Sequence, residues 1–182
     1  LTTSGCFENG RPIPVPAPSL YIGGAANPFA PPYEYRPMRL AKKVAAGARF
    51  VQTQIIYNVP RFREYMRQVC DLGLASKVAI LAGVAPIKSA GAARFMAEKV
   101  AGMDVPEPVV QRMAKTPRAA QPMEGIDICL EILEQVRQID GVAGVHITAI
   151  NWADAVPEIV KRAGLWPRPP ANGTSRYVLN QV

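Results

Sequence analysis

The sequence predicts an α/β fold of four strand–helix units in series, which corresponds to about half of a (β/α)8 barrel. Short apolar runs alternate with segments of helical periodicity along residues 19–166, as expected for a parallel sheet covered by helices. The chain has 182 residues, whereas a closed barrel typically needs about 250. We therefore expect a curved half-barrel with an exposed strand edge at each end.

The first unit is the one expected to carry a site. Residues 1–18 contain turn formers and alternating prolines, so we expect an extended arm there. An apolar strand at 19–22, a loop rich in Gly and Pro at 23–34 and a helix at 36–47 follow. Ligands bind at the carboxyl ends of parallel strands, so this long loop is the expected position of the site.

Four cations lie on the helix of this unit. At about 100° per residue, Arg36, Arg39 and Lys43 fall on one stripe, and Lys42 lies beside it. Cations beside a Gly-rich loop and a helix N-terminus suit a phosphate or carboxylate ligand. A solvated helix face is the alternative, because most charged side chains face water.

The second strand, predicted at 50–57, has one unusually polar side. Gln52 and Gln54 point to that side, whereas Val51 and Thr53 point to the other. Amides on a strand covered by helices need hydrogen-bond partners, which a barrel interior or a ligand can supply. Gln54 is the stronger functional candidate because it lies nearer the carboxyl end of the strand.

The same pattern repeats along the rest of the chain. The remaining elements are predicted as strands at 77–84 and 144–150 and helices at 58–73, 89–100, 123–139 and 153–164. Residues 103–121 are expected to form an excursion with a short helix after Pro106. The tail at 167–182 is expected to be irregular.

Composition narrows the function classes. The net charge is +7, but no Lys/Arg block or basic motif with interleaved aromatic residues accompanies it, so we expect no nucleic-acid partner. No apolar run approaches the roughly 20 residues of a membrane span. An odd number of cysteines and the lack of a signal peptide favour a reducing cytoplasm.

Cysteine and histidine usage offers no metal site. Cys6, Cys70 and Cys129 are far apart in the sequence and have no CxxC spacing. Cys70 and Cys129 lie on apolar helical faces and are predicted to be buried thiols. His146 is the only histidine, and without a second ligand nearby it is predicted to be a hydrogen-bonded residue of the interior.

Several segments together resemble the methylenetetrahydrofolate reductase family. They are GGAANP at 23–28, RLAKKVAAGARFVQTQ at 39–54, AGVAP at 82–86, GIDI at 125–128 and GVHITAINW at 144–152. The last segment is similar to the forms found in anaerobes. The resemblance implies a TIM-type (β/α)8 barrel that holds FAD, with FMN as the alternative, at the carboxyl ends of its strands. It also implies hydride transfer through the flavin to the methylene group of a tetrahydrofolate.

The resemblance covers only the second half of the family barrel, from the fifth strand onward. The acidic proton donor of the family and its aspartate near the flavin ring have no counterpart here, so we expect no catalytic residue in this chain. We expect the chain to be a fragment, a truncated record or the product of a split gene. It should be inactive without the first half, and its exposed edges should bind that half or a second copy.

The resemblance assigns roles by position. It places Asn27 where many relatives have a flavin-contacting histidine, and Trp152 where some have a substrate-binding arginine. Gln54 matches a glutamine that contacts the folate pterin and the nicotinamide. The implied cofactor-binding residues are Gly23, Asn27, Ala30, Arg36, Arg39, Lys42 and Lys43, and the implied substrate-binding residues are Gln54 and Trp152.

The resemblance thus implies flavin-dependent reduction of 5,10-methylenetetrahydrofolate to 5-methyltetrahydrofolate in one-carbon metabolism and methionine biosynthesis. The electron donor is left open between NAD(P)H and a ferredoxin-linked donor. The alternative is a non-catalytic binding or assembly subunit that keeps the barrel scaffold and uses its exposed edges to hold a partner.

Overall fold

The computed structural model describes residues 5–13 and 20–167, and its centre is a parallel four-stranded sheet. The strands are β1 (Gly23–Ala26), β2 (Phe50–Ile55), β3 (Ala79–Val84) and β4 (Val142–Ile147). The helices are α1 (Arg36–Ala45), α2 (Val59–Asp71), α3 (Ala90–Lys99), α4 (Glu107–Lys115), α5 (Gln121–Arg137) and α6 (Ala155–Arg162). The predicted α/β fold with its four strand–helix units is confirmed.

The strands lie side by side in sequence order, so β1 and β4 are the two edges of the described sheet. Every strand pair is parallel and is connected through at least one helix. All four carboxyl ends therefore point the same way, and the loops that follow them gather at one end of the sheet.

The core lies between the sheet and the helices, and β2 shows how the sequence produces it. Val51, Thr53 and Ile55 are buried, and they alternate with the half-buried Phe50 and with two glutamines. A period of two puts the buried residues on the face that the helices cover. The opposite face is the polar side predicted from Gln52 and Gln54.

Side-chain caps position the helices as the sequence indicates. The Asn58 Oδ1 accepts a hydrogen bond from the Arg61 backbone N–H at 3.0 Å, and the Ser89 Oγ accepts one from the Ala92 N–H at 3.2 Å. Gly47, just beyond α1, has a φ of +97°, a left-handed conformation that favours glycine. The predicted helix starts and stops at these positions are confirmed to within about two residues.

The first strand was predicted in the wrong place. Residues 20–22, the described part of the run predicted as a strand, precede β1, and Gly23–Ala26, predicted as the start of the loop, forms β1 itself. A Cβ on Gly23 would lie 2.2 Å from the Phe50 ring, so the glycine lets that ring lie across β1. Pairing with β2 thus overrides the low strand propensity of glycine.

The structure describes only part of the two predicted chain ends, the arm at 1–18 and the tail at 167–182. Residues 5–13 are not extended throughout, because they bend through a turn closed by an isolated antiparallel bridge between Cys6 and Pro12. The rest of the arm predicted at 1–18 lies outside the described residues. So does the tail from residue 168 onward. Within 5–13 and 20–167, no helix has the length and apolar character that a bilayer crossing requires.

Cys129 should resist alkylation in the folded chain. It is fully buried in α5, and burial raises the pKa of its thiol to about 12. Only the thiolate is nucleophilic, so at pH 8 roughly one molecule in ten thousand would be reactive. We expect iodoacetamide to leave Cys129 unmodified in native protein and to label it in urea, as read by peptide mass spectrometry. Rapid labelling of native protein would contradict the burial.

Candidate binding site at the carboxyl ends of the strands

A cavity of about 450 Å³ lies at the carboxyl ends of β1 and β2, beside α1. Its lining residues are Ala25, Ala26, Asn27, Arg36, Arg39, Leu40, Lys43, Gln52, Thr53, Gln54, Ile55, His146 and Thr148. Three of these side chains are cationic and none is a carboxylate. The cavity therefore carries a local positive charge that suits an anionic ligand.

The cations of this cavity are not neutralised within the described chain. Arg39 and Lys43 have no ion pair or hydrogen bond with any described residue, whereas Arg67 and Arg112 each pair with two carboxylates. The charged ends of Arg39 and Lys43 thus remain available to a ligand phosphate or carboxylate. The stripe predicted from helical spacing, Arg36, Arg39 and Lys43, is the set that lines the cavity.

Arg36 lines the cavity, and two of its N–H groups also donate hydrogen bonds to the loop between β1 and α1. Its Nε donates to the Ala30 carbonyl, and its Nη2 donates to the Pro31 carbonyl at 2.6 Å. These bonds fix the loop against the start of α1. A guanidinium has five N–H donors, so the others are still able to reach a ligand.

Lys42 points away from the cavity, although its neighbour Lys43 lines it. The Lys42 ammonium donates to the Tyr35 hydroxyl at 3.2 Å and lies 5.8 Å from the centre of that ring. Successive residues on a helix are about 100° apart, so one lysine of the pair faces the cavity and the other faces solvent. The structure does not bring the two lysines together.

Gln54 lies at an irregularity in the pairing of β2 with β3. The register between β2 and β3 shifts between Gln52 and Ile55. The Thr53 Oγ1 accepts a hydrogen bond from the Gly83 N–H at 2.8 Å and donates one to the Gln54 carbonyl at 2.9 Å, so it replaces part of the ladder. Bulges of this kind re-aim side chains next to functional sites.

The same geometry fixes which end of the Gln54 amide is available. Its Oε1 accepts a hydrogen bond from the Ile55 backbone N–H at 3.0 Å, which places the oxygen against the backbone. Its NH₂ group has no partner among the described residues. Gln54 can therefore donate hydrogen bonds to a ligand in the cavity.

His146 and Thr148 reach the cavity from β4, and sequence reasoning did not assign them to the site. His146 pairs in register with Gly83 and is half-buried. The imidazole makes no hydrogen bond with the described residues, and its assignment as a hydrogen-bonded residue of the interior stays a prediction. The available signal was the alternation along β4, which puts His146 and Thr148 on one face.

Four of the residues implied by the resemblance lie outside the cavity lining: Lys42, which faces solvent, and Gly23, Ala30 and Trp152. Gly23 is at the amino end of β1, where it accommodates Phe50. Ala30 is in the loop above the cavity, and Trp152 lies after β4 with the Lys88 ammonium 5.8 Å from its ring. Asn27, by contrast, lines the cavity, and its Oδ1 accepts a hydrogen bond from the Phe29 N–H at 2.9 Å.

Metal-ligating residues are not grouped anywhere in the part of the chain that the structure describes, since no three His, Cys, Asp or Glu side chains lie close enough together to hold an ion. The cavity offers amides, a hydroxyl, an imidazole and cations instead. A parallel α/β sheet with a cationic cavity at its carboxyl ends is the arrangement of barrel-type proteins that bind phosphorylated or carboxylated ligands.

Comparison with known proteins identifies the family. Residues 23–164 match the family model described as methylenetetrahydrofolate reductase, and the chain belongs to that family. It is 26% identical over 142 residues to a probable methylenetetrahydrofolate reductase (NADPH) of Caenorhabditis elegans, which covers 77% of this chain and 21% of the relative. It is 28% identical over 158 residues to methylenetetrahydrofolate reductase 2 of Schizosaccharomyces pombe, which covers 81% of this chain and 24% of the relative.

The fold also has a counterpart among solved structures. An uncharacterized protein from Clostridium thermocellum, which binds two copies of 5-methyl-5,6,7,8-tetrahydrofolic acid, superposes with a TM-score of 0.60 at 14% identity. The match covers 79% of this chain and 52% of that protein. The chain thus spans about half of this structural neighbour and less than a quarter of the two curated relatives.

Proposed function

We propose that this chain supplies the FAD- and folate-binding C-terminal half of the barrel of a methylenetetrahydrofolate reductase. The whole enzyme would reduce 5,10-methylenetetrahydrofolate to 5-methyltetrahydrofolate. The observation that carries the proposal is the carboxylate-free cavity, in which the cations of α1 face the free amide donors of Gln54. Family membership supports methylenetetrahydrofolate as the substrate.

The residues present fit a flavin nucleotide. A pyrophosphate needs cations that are not already paired, and Arg39 and Lys43 meet that requirement on the stripe that faces the cavity. Asn27 and the remaining N–H donors of Arg36 would add hydrogen bonds from the loop. FAD would supply the acceptor and donor of hydride in the reduction. FMN, which has a single phosphate, is the alternative nucleotide.

In this proposal the residues of this chain would bind and orient the folate substrate. Gln54 would donate hydrogen bonds to the folate ring from the carboxyl end of β2, and His146 and Thr148 would border the same space from β4. Trp152, at the loop after β4, is proposed to contact the remainder of the folate. The proton donor is proposed to come from the rest of the barrel, and NAD(P)H and a ferredoxin-linked donor both remain candidates for the electron source. A cytoplasmic location belongs to the same proposal.

Reconstitution with a matching N-terminal half tests the proposal. We expect the complex to purify as a yellow protein whose flavin absorbance bleaches when NAD(P)H or reduced ferredoxin is added. Extraction and chromatography of the bound nucleotide would separate FAD from FMN. A colourless complex that stays colourless in excess FAD would contradict the proposal.

Replacing Gln54 with alanine in the reconstituted enzyme should weaken folate recognition selectively. Loss of a buried polar contact costs about 1 to 3 kcal/mol, so kcat/KM for the folate should fall roughly 5- to 150-fold. The flavin should stay bound, because the α1 cations are unchanged. Steady-state kinetics and flavin content check this together. Unaltered folate kinetics with lost flavin would reverse the assignment of Gln54.

A further inference from the structure

The connection between α3 and α4, residues 100–106, packs onto the loop between β1 and α1, residues 27–35. Gly102 has a φ of +75°, and a Cβ built on it would lie 2.3 Å from the Asn27 Nδ2 and 3.7 Å from the Ala30 Cβ. Any side chain here would therefore displace the Asn27 amide, which lines the cavity. Glycine is required both by the conformation and by the close approach.

Asp104, two residues later, binds the start of α2. Its Oδ2 accepts a hydrogen bond from the Asn58 Nδ2 at 2.9 Å and lies 2.8 Å from the Arg61 Nε. The Arg61 Nε–H is buried and is not aligned for a hydrogen bond, so this second contact is an ion pair only. The two side chains are 37% and 28% exposed, which makes the pair less screened than a fully exposed one.

Arg61 contacts both Asp104 and the loop at 27–35. Its guanidinium carbon lies 4.1 Å from the centre of the Tyr33 ring, within cation–π range. Arg61 itself is anchored on α2, where its neighbour Phe62 is fully buried. The series Asp104, Arg61 and Tyr33 thus connects helix α2 to the exposed part of the loop, residues 31–35.

We propose that Gly102, Asp104 and Arg61 form a brace that holds the 27–35 loop in its ligand-binding conformation. The loop places Asn27 in the cavity and leads into Arg36, so its position sets the geometry of the anion site. The three brace residues act by positioning and do not line the cavity themselves. The identity of the ligand as FAD rests on the proposed function, whereas the brace is a property of the loop.

Hydrogen exchange of the full chain measures the brace without a ligand. In Asp104→Ala we expect the backbone amides of the five non-proline residues at 28–35 to exchange about five- to tenfold faster, since an ion pair and the cation–π contact that it orients are lost. Amides of β2 should keep their wild-type rates. Asp71→Ala is the matched control, because Asp71 pairs with Arg67 at 2.6 Å on the same helix but contacts no part of the loop.

The ligand arm of the experiment is an FAD titration of the same proteins, each assembled with the matching N-terminal half. Asp104→Ala should raise the Kd by a factor similar to the rise in loop exchange, and Asp71→Ala should leave it unchanged. If Asp104→Ala fails to fold, Tyr33→Leu removes only the exposed end of the series and should give a smaller change of the same kind. Loop exchange at the wild-type rate in the folded variants would overturn the brace. If the wild type does not bind FAD, the proposed function fails while the exchange data still decide on the brace.

Discussion

Replacing Arg39 and Lys43 together by alanine is expected to weaken FAD binding about a hundredfold at low salt. Each cation lines the cavity and has no partner among the described residues, so each can make a charge-assisted hydrogen bond to the pyrophosphate. Such a bond contributes about 1.5 to 3 kcal/mol, or at least tenfold in Kd. Because the cavity is open to solvent, the loss should shrink as salt screens the wild-type contacts.

The single variants Lys42→Ala and Lys43→Ala are the matched pair for this experiment. Both remove one lysine charge from adjacent residues, but Lys42 contacts Tyr35 and lies outside the cavity lining, so Lys42→Ala is the control. The effect of Lys42→Ala on the Kd should stay within about twofold, as for surface charges away from partners. Flavin titrations at low and high salt compare the wild type, the double variant and the two single lysine variants. An equal rise of the Kd for FAD in Lys42→Ala and Lys43→Ala would contradict FAD binding in the cavity. The cations of α1 would then act only through their net charge.

Gly125→Ala is expected to lower the free energy of unfolding strongly. Gly125 is buried in α5, and a Cβ there would lie 1.7 Å from the Ile87 carbonyl oxygen. The contact is with backbone, so the helix must move away from the segment that follows β3. We expect a cost of about 3 kcal/mol or more in the free energy of unfolding, at the upper end of overpacking effects.

Gly91→Ala makes the same chemical change with the opposite expected sign. Gly91 lies in α3, is exposed, and a Cβ there would meet nothing closer than the Ser89 Oγ at 3.9 Å. Alanine in a helix is favoured over glycine by about 0.5 to 1 kcal/mol, so this variant should be slightly more stable than wild type. Urea unfolding followed by circular dichroism measures both. A Gly125→Ala protein as stable as wild type would contradict the packing of α5 on Ile87.

Most of the fold could be predicted because its signals are local. Helical periodicity, the caps at Asn58 and Ser89 and the left-handed Gly47 all lie within a few residues of the boundaries that they set. The first strand was misplaced because Gly23 and Gly24 have low strand propensity and are held in β1 by pairing with β2. That pairing depends on residues about thirty positions away.

Part of the cavity lining could also be predicted, because helical spacing and strand alternation are local signals. Helical geometry identified the stripe of Arg36, Arg39 and Lys43, and strand alternation identified Gln54. The proposed brace could not be predicted from the sequence, because Asp104 and Asn58, which are hydrogen-bonded, are 46 residues apart in the chain. His146 was not assigned to the cavity, because its place in the lining depends on how β4 is arranged beside the other strands.

The most direct test of the central claim is whether the chain, assembled with a matching N-terminal half, forms 5-methyltetrahydrofolate from 5,10-methylenetetrahydrofolate. Product would be followed by chromatography in the presence of FAD and either NADPH or reduced ferredoxin. We predict product formation that falls when Arg39 and Lys43 are replaced and is retained when Lys42 is replaced. An assembled complex that binds its partner half but forms no product with either donor would contradict the claim and would favour the non-catalytic binding subunit.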